Sequence, residues 1–200
     1  MKGPRMIIAT TSDHTTDEDT EIGSRVTRSI IDNFLRRPSL EDYALTTIAT
    51  MASNDLAMLH ASDEVPLLCD AAFVLMDRNR ARFLTSGGSV AYHFENGALA
   101  HQSEPADGSI IGSGPRYQPH LDPVFQLNNE KNAFLTVSRA LAEKLTRENL
   151  EETLSQSATP EDWMRKLEAL AGDDRQFCAV TVFLPQSSPS FFKSLFNRVR

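Results

Sequence analysis

Two apolar runs in this chain carry carboxylates at their mouths, and carboxylates at strand ends are a common way to hold a divalent cation. Near the C-terminus, Gly172-Asp173-Asp174-Arg175 leads into the β-rich apolar run Gln176–Leu184. Near the N-terminus, Asp13 follows the apolar segment Met6–Thr11, and Asp17, Glu18, Asp19 and Glu21 come after it. Hard divalent cations need several oxygen ligands. Asp173 and Asp174 are therefore candidate metal residues, and the acidic run Asp13, Asp17, Glu18, Asp19 and Glu21 is a candidate substitute metal loop. The acidic run is not an EF-hand, because Glu18 stands at the glycine position and Ser24 at that of the final glutamate. Acids ahead of a helix also favour its positive end, which is the simpler reading of that run. Asp173-Asp174 reads equally well as a turn after a helix.

Other chemistries find less support. His14, His60, His93, His101 and His120 show neither HxxxH nor HExxH spacing and read as surface or structural residues. Cys69 and Cys178 lie inside apolar runs with no acid/base neighbour in sequence, so they read as buried thiols and not as nucleophiles. No phosphate-cradling GxxxxGK[ST] occurs, and Gly87-Gly88 suits a turn or bulge. Arg36-Arg37-Pro38-Ser39 matches a basic-directed kinase site, a pattern short enough to be common by chance.

The elements that must position these residues follow from periodicity. Met6–Thr11 is a short strand. Ile22, Val26, Ile30 and Phe34 recur every fourth residue, which places them on one helical face ended by Pro38. Leu40–His60 reads as a second helix, capped by Ser39, with a stripe of Leu45, Ile48, Ala52, Leu56 and Leu59. Strands are expected at Ala71–Met76, Ala81–Thr85 and Val90–Phe94, the last closed by the hairpin signal Glu95-Asn96-Gly97. Glu104–Pro119 is loop-like, with three Gly and three Pro. Val124–Leu127 and Ala133–Val137 read as strands, and Ser138–Lys144 and Glu148–Ser155 as helices. Thr159-Pro160-Glu161-Asp162 is a helix start with a cap and Pro at the first position, opening a helix that carries Trp163, Leu167 and Leu170. Gln176–Leu184 is the last strand. The order predicts an α+β fold with helices layered on sheets.

The 200 residues suit one domain, here 1–184, followed by a linker and basic tail at 185–200. The net charge of −7 argues against a nucleic-acid partner. No run approaches the roughly 18 apolar residues of a membrane span, and no signal-like segment opens the chain; the expected location is cytoplasmic. In the tail, Phe191, Phe192, Leu195, Phe196 and Val199 share one helical face, with Lys193, Arg198 and Arg200 among them. Three exposed phenylalanines need cover. The tail therefore packs on its own domain, docks in a partner's groove, or lies on an anionic membrane surface.

Several motifs together resemble the type 2C (PPM-type) metal-dependent Ser/Thr protein phosphatases, over roughly Met6–Leu184. That family has a β-sandwich flanked by pairs of antiparallel helices, in α-β-β-α layers. Its aspartates hold two Mn2+ or Mg2+ ions that activate water against phosphoserine or phosphothreonine. Thr11-Ser12-Asp13-His14 matches its early Asp-Gly motif, with His14 in place of glycine. Ser86-Gly87-Gly88-Ser89 before the Glu95-Asn96-Gly97 hairpin matches its Gly-Asp-Ser-Arg turn, with Gly88 in place of aspartate. Ser138-Arg139-Ala140 matches its Ser-Asp-Gly, with Arg139 in place of a metal aspartate. Asp173-Asp174 matches its last motif. The strand that normally comes earlier, with its own aspartate and a phosphate-binding arginine, is not represented.

The resemblance thus implies a degenerate member: a signalling or regulatory binding protein or scaffold with no cofactor, engaging a phosphoprotein or kinase. Arg139 is the candidate phosphate ligand, and Phe191, Phe192, Leu195 and Phe196 are candidate partner contacts. The alternative is an active, divergent Ser/Thr phosphatase that recruits Mn2+ or Mg2+ through Asp13, Asp17 or Asp19 and Asp173 or Asp174. A structural α+β domain unrelated to phosphatases is the third reading; a fold without a paired sandwich would select it.

Overall fold

The computed structural model describes residues 5–13, 21–59, 68–106, 108–114, 117–128, 131–172 and 178–184. The first strand, β1 (Arg5–Asp13), leads to two long helices, α1 (Glu21–Arg36) and α2 (Asp42–Leu59). A run of strands follows: β2 (Cys69–Asp77), β3 (Arg80–Ser86), β4 (Val90–Glu95), β5 (Ala98–Gln102), β6 (His120–Leu121), β7 (Phe125–Gln126) and β8 (Asn132–Val137). The chain then forms α3 (Arg139–Ala142), α4 (Arg147–Ser155), α5 (Pro160–Ala171) and β9 (Ala179–Leu184). One sheet has the order β1-β2-β3-β6, with β7 also on β3; the other has the order β5-β4-β8-β9. All these pairings are antiparallel.

Side-chain alternation sorts the sandwich into four layers. On β2, Phe73 and Leu75 pack against Ile22, Val26, Ile30 and Phe34 of α1 and against Leu45, Ile48 and Leu56 of α2. The alternate residues Ala72, Val74 and Met76 meet Ala91 and Phe134 of the second sheet. Outside that sheet, Tyr92, Phe94 and Leu135 pack on Leu150 and Leu154 of α4 and on Trp163, Leu167 and Ala171 of α5. Each wholly buried side chain of the size of Phe34 or Phe94 contributes roughly 1.5–3 kcal/mol by leaving water. The two helix pairs thus cover the outer faces of the sheets, which is the α-β-β-α arrangement expected.

Local signals act where they were read. Asn96 and Gly97 both have positive φ, 52° and 87°, and close the β4–β5 hairpin. Thr159 accepts from the Asp162 backbone N–H at 3.1 Å and caps α5, with Pro160 at its first position. Three details differ. On α5 the buried stripe is Trp163, Leu167 and Ala171, while Leu170 lies at the surface. The expected strand Val124–Leu127 shrinks to Phe125–Gln126, and β6 appears inside a stretch with no strand pattern; both are short edge pairings to β3.

His93 is held in the core between the sheets, stacked on Phe134 at 4.7 Å and on Phe125 at 5.1 Å. Its Nε2 lies 2.7 Å from Asn132 Oδ1, and Asn132 Nδ2 donates to Asn128 O, so the imidazole donates to the amide oxygen. Burial lowers its pKa below the ordinary 6.5, partly opposed by Asn132. Below that value the unfolded chain binds a proton that the folded chain resists. Stability is therefore full above about pH 6.5 and falls as pH drops through the window below it, by at most ~1.4 kcal/mol per pH unit. Asp122, raised by burial, pulls the other way at lower pH. Urea unfolding at about pH 7.5 and about pH 5.5 is expected to show this loss, with a smaller loss in His93→Gln, whose amide keeps a donor for Asn132.

Candidate functional site

One end of the space between the sheets is polar. Strand register brings Ser12 of β1 opposite Asp70 of β2, and Asp13 opposite Cys69. Asp70 shares its strand face with Ala72, Val74 and Met76, so it points into the inter-sheet space at the strand's first turn outward. Thr10 Oγ1 lies 2.6 Å from Thr136 Oγ1 and ties the sheets together beside it. Thr85, Ser89 and Ser138 are buried polar residues as well.

Asp70 is only 2% exposed. Its Oδ2 accepts from the Gly88 backbone N–H at 3.0 Å. The same oxygen lies 3.6 Å from Nε of Arg139, the first residue of α3 after β8. The arginine side chain keeps 41% of its surface exposed, so the pair has a buried carboxylate end and a partly exposed arginine end. Breaking a buried ion pair strands the buried charge. Asp70 is stranded less completely than a fully enclosed group would be, because Arg139 is partly solvated and the Gly88 N–H remains.

The β3–β4 turn is shaped to admit these two side chains. Gly87 has φ +65°, and a Cβ there would stand 1.6 Å from Asp70 Oδ1. A Cβ on Gly88 would stand 2.1 Å from Arg139 Nε. Gly87 needs glycine for its backbone conformation and for its contact with Asp70, and a side chain at Gly88 would make Arg139 move. The long loop after β5 braces the turn. Gly87 N donates to Ser109 O at 2.8 Å, Ala106 N donates to Gly87 O at 2.7 Å, and Ser86 Oγ donates to Ser109 O at 2.7 Å. Two further backbone bonds join Cys69 and Ile111. On the other side, Ser138 N donates to Cys178 O at 2.8 Å and Cys178 N donates to Ser138 Oγ at 3.0 Å, which fixes the start of β9 beside Arg139.

Of the residues read from sequence, Arg139 stands in this cleft, and Gly88 lies against it. Asp13 ends β1 at the same end of the sandwich. Asp17, Asp19, Asp173, Asp174, His14, His60 and the tail residues Phe191, Phe192, Leu195 and Phe196 lie outside the described residues. Asp70 was missed. Its only signal was an acid inside the otherwise apolar run Cys69–Met76, where a burial-seeking strand has no obvious use for a charge.

The donor set decides what chemistry fits. Among the described residues no three His, Cys, Asp or Glu side chains converge as metal ligands. Gly88 offers no side chain, and Arg139 places a cation next to the cleft carboxylate. The described residues therefore do not fit a two-metal centre, and an arginine at this point repels a second cation. Both cysteines are free thiols. Burial pushes the Cys178 thiol up, away from thiolate chemistry. His93 is committed to the core, and His120 sits 3.6 Å from Asp122. What the arrangement offers is a partly exposed arginine beside a buried carboxylate, and a guanidinium is a strong donor to oxyanions.

The fold matches solved phosphatases. The S. agalactiae serine/threonine phosphatase superposes with a TM-score of 0.75, at 15% identity over 91% of this chain and 88% of that one. PppA, described as a key regulatory component of T6SS in Pseudomonas aeruginosa, gives 0.65 at 16% identity over 92% and 99%. The catalytic domain of the serine threonine protein phosphatase PstP, solved with 2 manganese ions, gives 0.66 at 14% identity over 90% and 99%. No protein-family model and no curated protein matches the sequence. At these identities the likeness establishes the fold.

Two substitutions test the interlocking. Gly87→Ala is expected to cost about 2 kcal/mol or more, from strained φ plus overlap with Asp70. Gly88→Ala is expected to cost less, because Arg139 can swing away. In the double variant Gly88→Ala/Arg139→Ala the costs should fall short of the sum by about 1 kcal/mol. Additive denaturant midpoints would show that the glycine and the arginine are independent.

Proposed function

We propose that this chain, folded as a type 2C phosphatase, works by binding and not by hydrolysis. It is a signalling or regulatory binding protein whose cleft receives a phosphorylated group of a protein partner on Arg139. The observation that carries this reading is the Asp70–Arg139 pair over Gly88. It fills with a fixed cation the place where the sequence resemblance puts metal-binding aspartates. A guanidinium is suited to bidentate recognition of phosphate. Asp70 behind it limits its rotation, so fewer conformations are lost on binding. The PppA neighbour, named as a regulatory component, is compatible in kind. On this reading residues 1–184 form the binding domain and 185–200 a separate appendage.

The second reading is an active, divergent Ser/Thr phosphatase. It is favoured by the PstP neighbour's two manganese ions and by the acids Asp13, Asp17, Asp19, Asp173 and Asp174. The two readings separate cleanly. Thermal unfolding with and without millimolar Mn2+ or Mg2+ is run beside p-nitrophenyl phosphate hydrolysis. A phosphoserine peptide and its unphosphorylated form are titrated in parallel. Binding predicts no metal-dependent rise in melting temperature, no turnover, and a phospho-specific affinity that drops about tenfold or more in Arg139→Ala. A rise in melting temperature with turnover that Asp174→Ala abolishes would establish the enzyme and overturn the binding reading.

A further inference from the structure

The end of β8 remote from Arg139 opens onto a second hollow. Arg139 follows the strand's last residue, Val137, by two positions, whereas Asn132 begins the strand, about 17 Å away along an extended chain. At this end the last rungs of the β8–β9 ladder, Asn132 opposite Leu184 and Ala133 opposite Phe183, line a cavity of about 530 Å3. The β4–β5 turn at Asn96 and Gly97 and the C-terminal end of α4 complete the lining. The turn is tied to the sheet, because Asn96 N donates to Lys131 O at 2.8 Å and Lys131 N donates to Asn96 Oδ1 at 3.4 Å. A Cβ built on Gly97 would meet nothing within 4 Å, which leaves room beside the turn.

Small-molecule sites are concave, of roughly 300–1,000 Å3, and mostly apolar, with a few polar groups that orient the ligand. The apolar share here is Ala133, Leu154, Ala158, Phe183 and Leu184. Most of the polar share is already engaged within the protein. Ser155 Oγ donates to Glu152 O, and Ser157 Oγ donates to Thr153 O and accepts from Lys166 Nζ. Asn132 bonds His93 and Asn128. Lys131 is the one charged residue among the described residues that line the cavity. It is exposed, and among the described residues no carboxylate forms an ion pair with it. We propose that this cavity binds a small organic anion, with an apolar body against Leu154 and Phe183 and one acidic group on Lys131. The apolar body gains by leaving water, and the ammonium supplies charge-assisted hydrogen bonds to the acidic group. The lone positive charge sets the sign of the ligand, and the apolar share limits how polar the rest of it is. This site stands apart from the Arg139 cleft and does not depend on the reading given for that cleft.

The test uses the full chain. Anilinonaphthalene sulfonate, an aromatic body with one anionic group, is titrated into the folded protein and its fluorescence followed. Saturable binding is expected. Lys131→Glu, which reverses the charge, and Ala158→Trp, which puts a large side chain into the cavity, are each expected to weaken it about tenfold or more. Both positions are exposed, so the melting temperature of each variant should stay within a few degrees. Octanoate should displace the probe about tenfold or more better than octanol or octylamine, which share its chain without its negative charge. Arg139→Ala should leave the affinity unchanged. The absence of saturable binding overturns the proposal. So does binding that either Lys131→Glu or Ala158→Trp leaves unchanged, or that Arg139→Ala abolishes, because the probe is then held elsewhere. Octylamine competing as well as octanoate overturns it too, since the site then does not select an anion.

Discussion

A carboxylate buried between two sheets is expensive, and the mouth of this sandwich is arranged around that expense. Asp70 lies on the strand face that otherwise carries Ala72, Val74 and Met76, where water does not reach it. Removing one charge from water costs several kcal/mol unless donors and a counter-charge replace the lost hydration. The Gly88 N–H and the Arg139 guanidinium supply them. That requirement propagates outward. Arg139 would move if Gly88 had a side chain, Asp70 needs Gly87 to have none, and the left-handed turn at Gly87 needs the loop at Ala106–Ser109 to brace it.

The layers are held by apolar packing on either side of each sheet, by Phe34, Phe73, Phe94 and Trp163 among others. A two-metal site concentrates carboxylates around mobile cations. This cleft concentrates one carboxylate behind one tethered cation. A metal centre lowers the pKa of bound water, whereas a guanidinium offers hydrogen-bond donors to an oxyanion.

Most of the fold was legible in the sequence because its signals are local. The every-fourth spacing of Ile22, Val26, Ile30 and Phe34 encodes a buried helical face, whatever covers it. Asn96-Gly97 encodes a turn through its own φ preferences, and Thr159-Pro160 a helix start through its own hydrogen bonding. β6 and β7 were not legible, because two-residue pairings carry no periodicity and exist only where β3 offers a free edge. Leu170 misled because one apolar residue at a helix's rim cannot be assigned inward or outward without knowing the partner's width.

The cleft divides along the same line. Arg139 and Gly88 were readable as departures from a motif, since each sits inside a recognisable strand–turn pattern. Asp70 was not, because its partners are Gly88, 18 residues on, and Arg139, far beyond that. The sequence by itself determined the elements, their layering and the positions at which the chain departs from the motifs it resembles. Only the tertiary structure decided that Arg139 meets the buried carboxylate of Asp70 beside Gly88. Periodicity depends on neighbours along the chain, whereas charge compensation and strand pairing depend on neighbours in space.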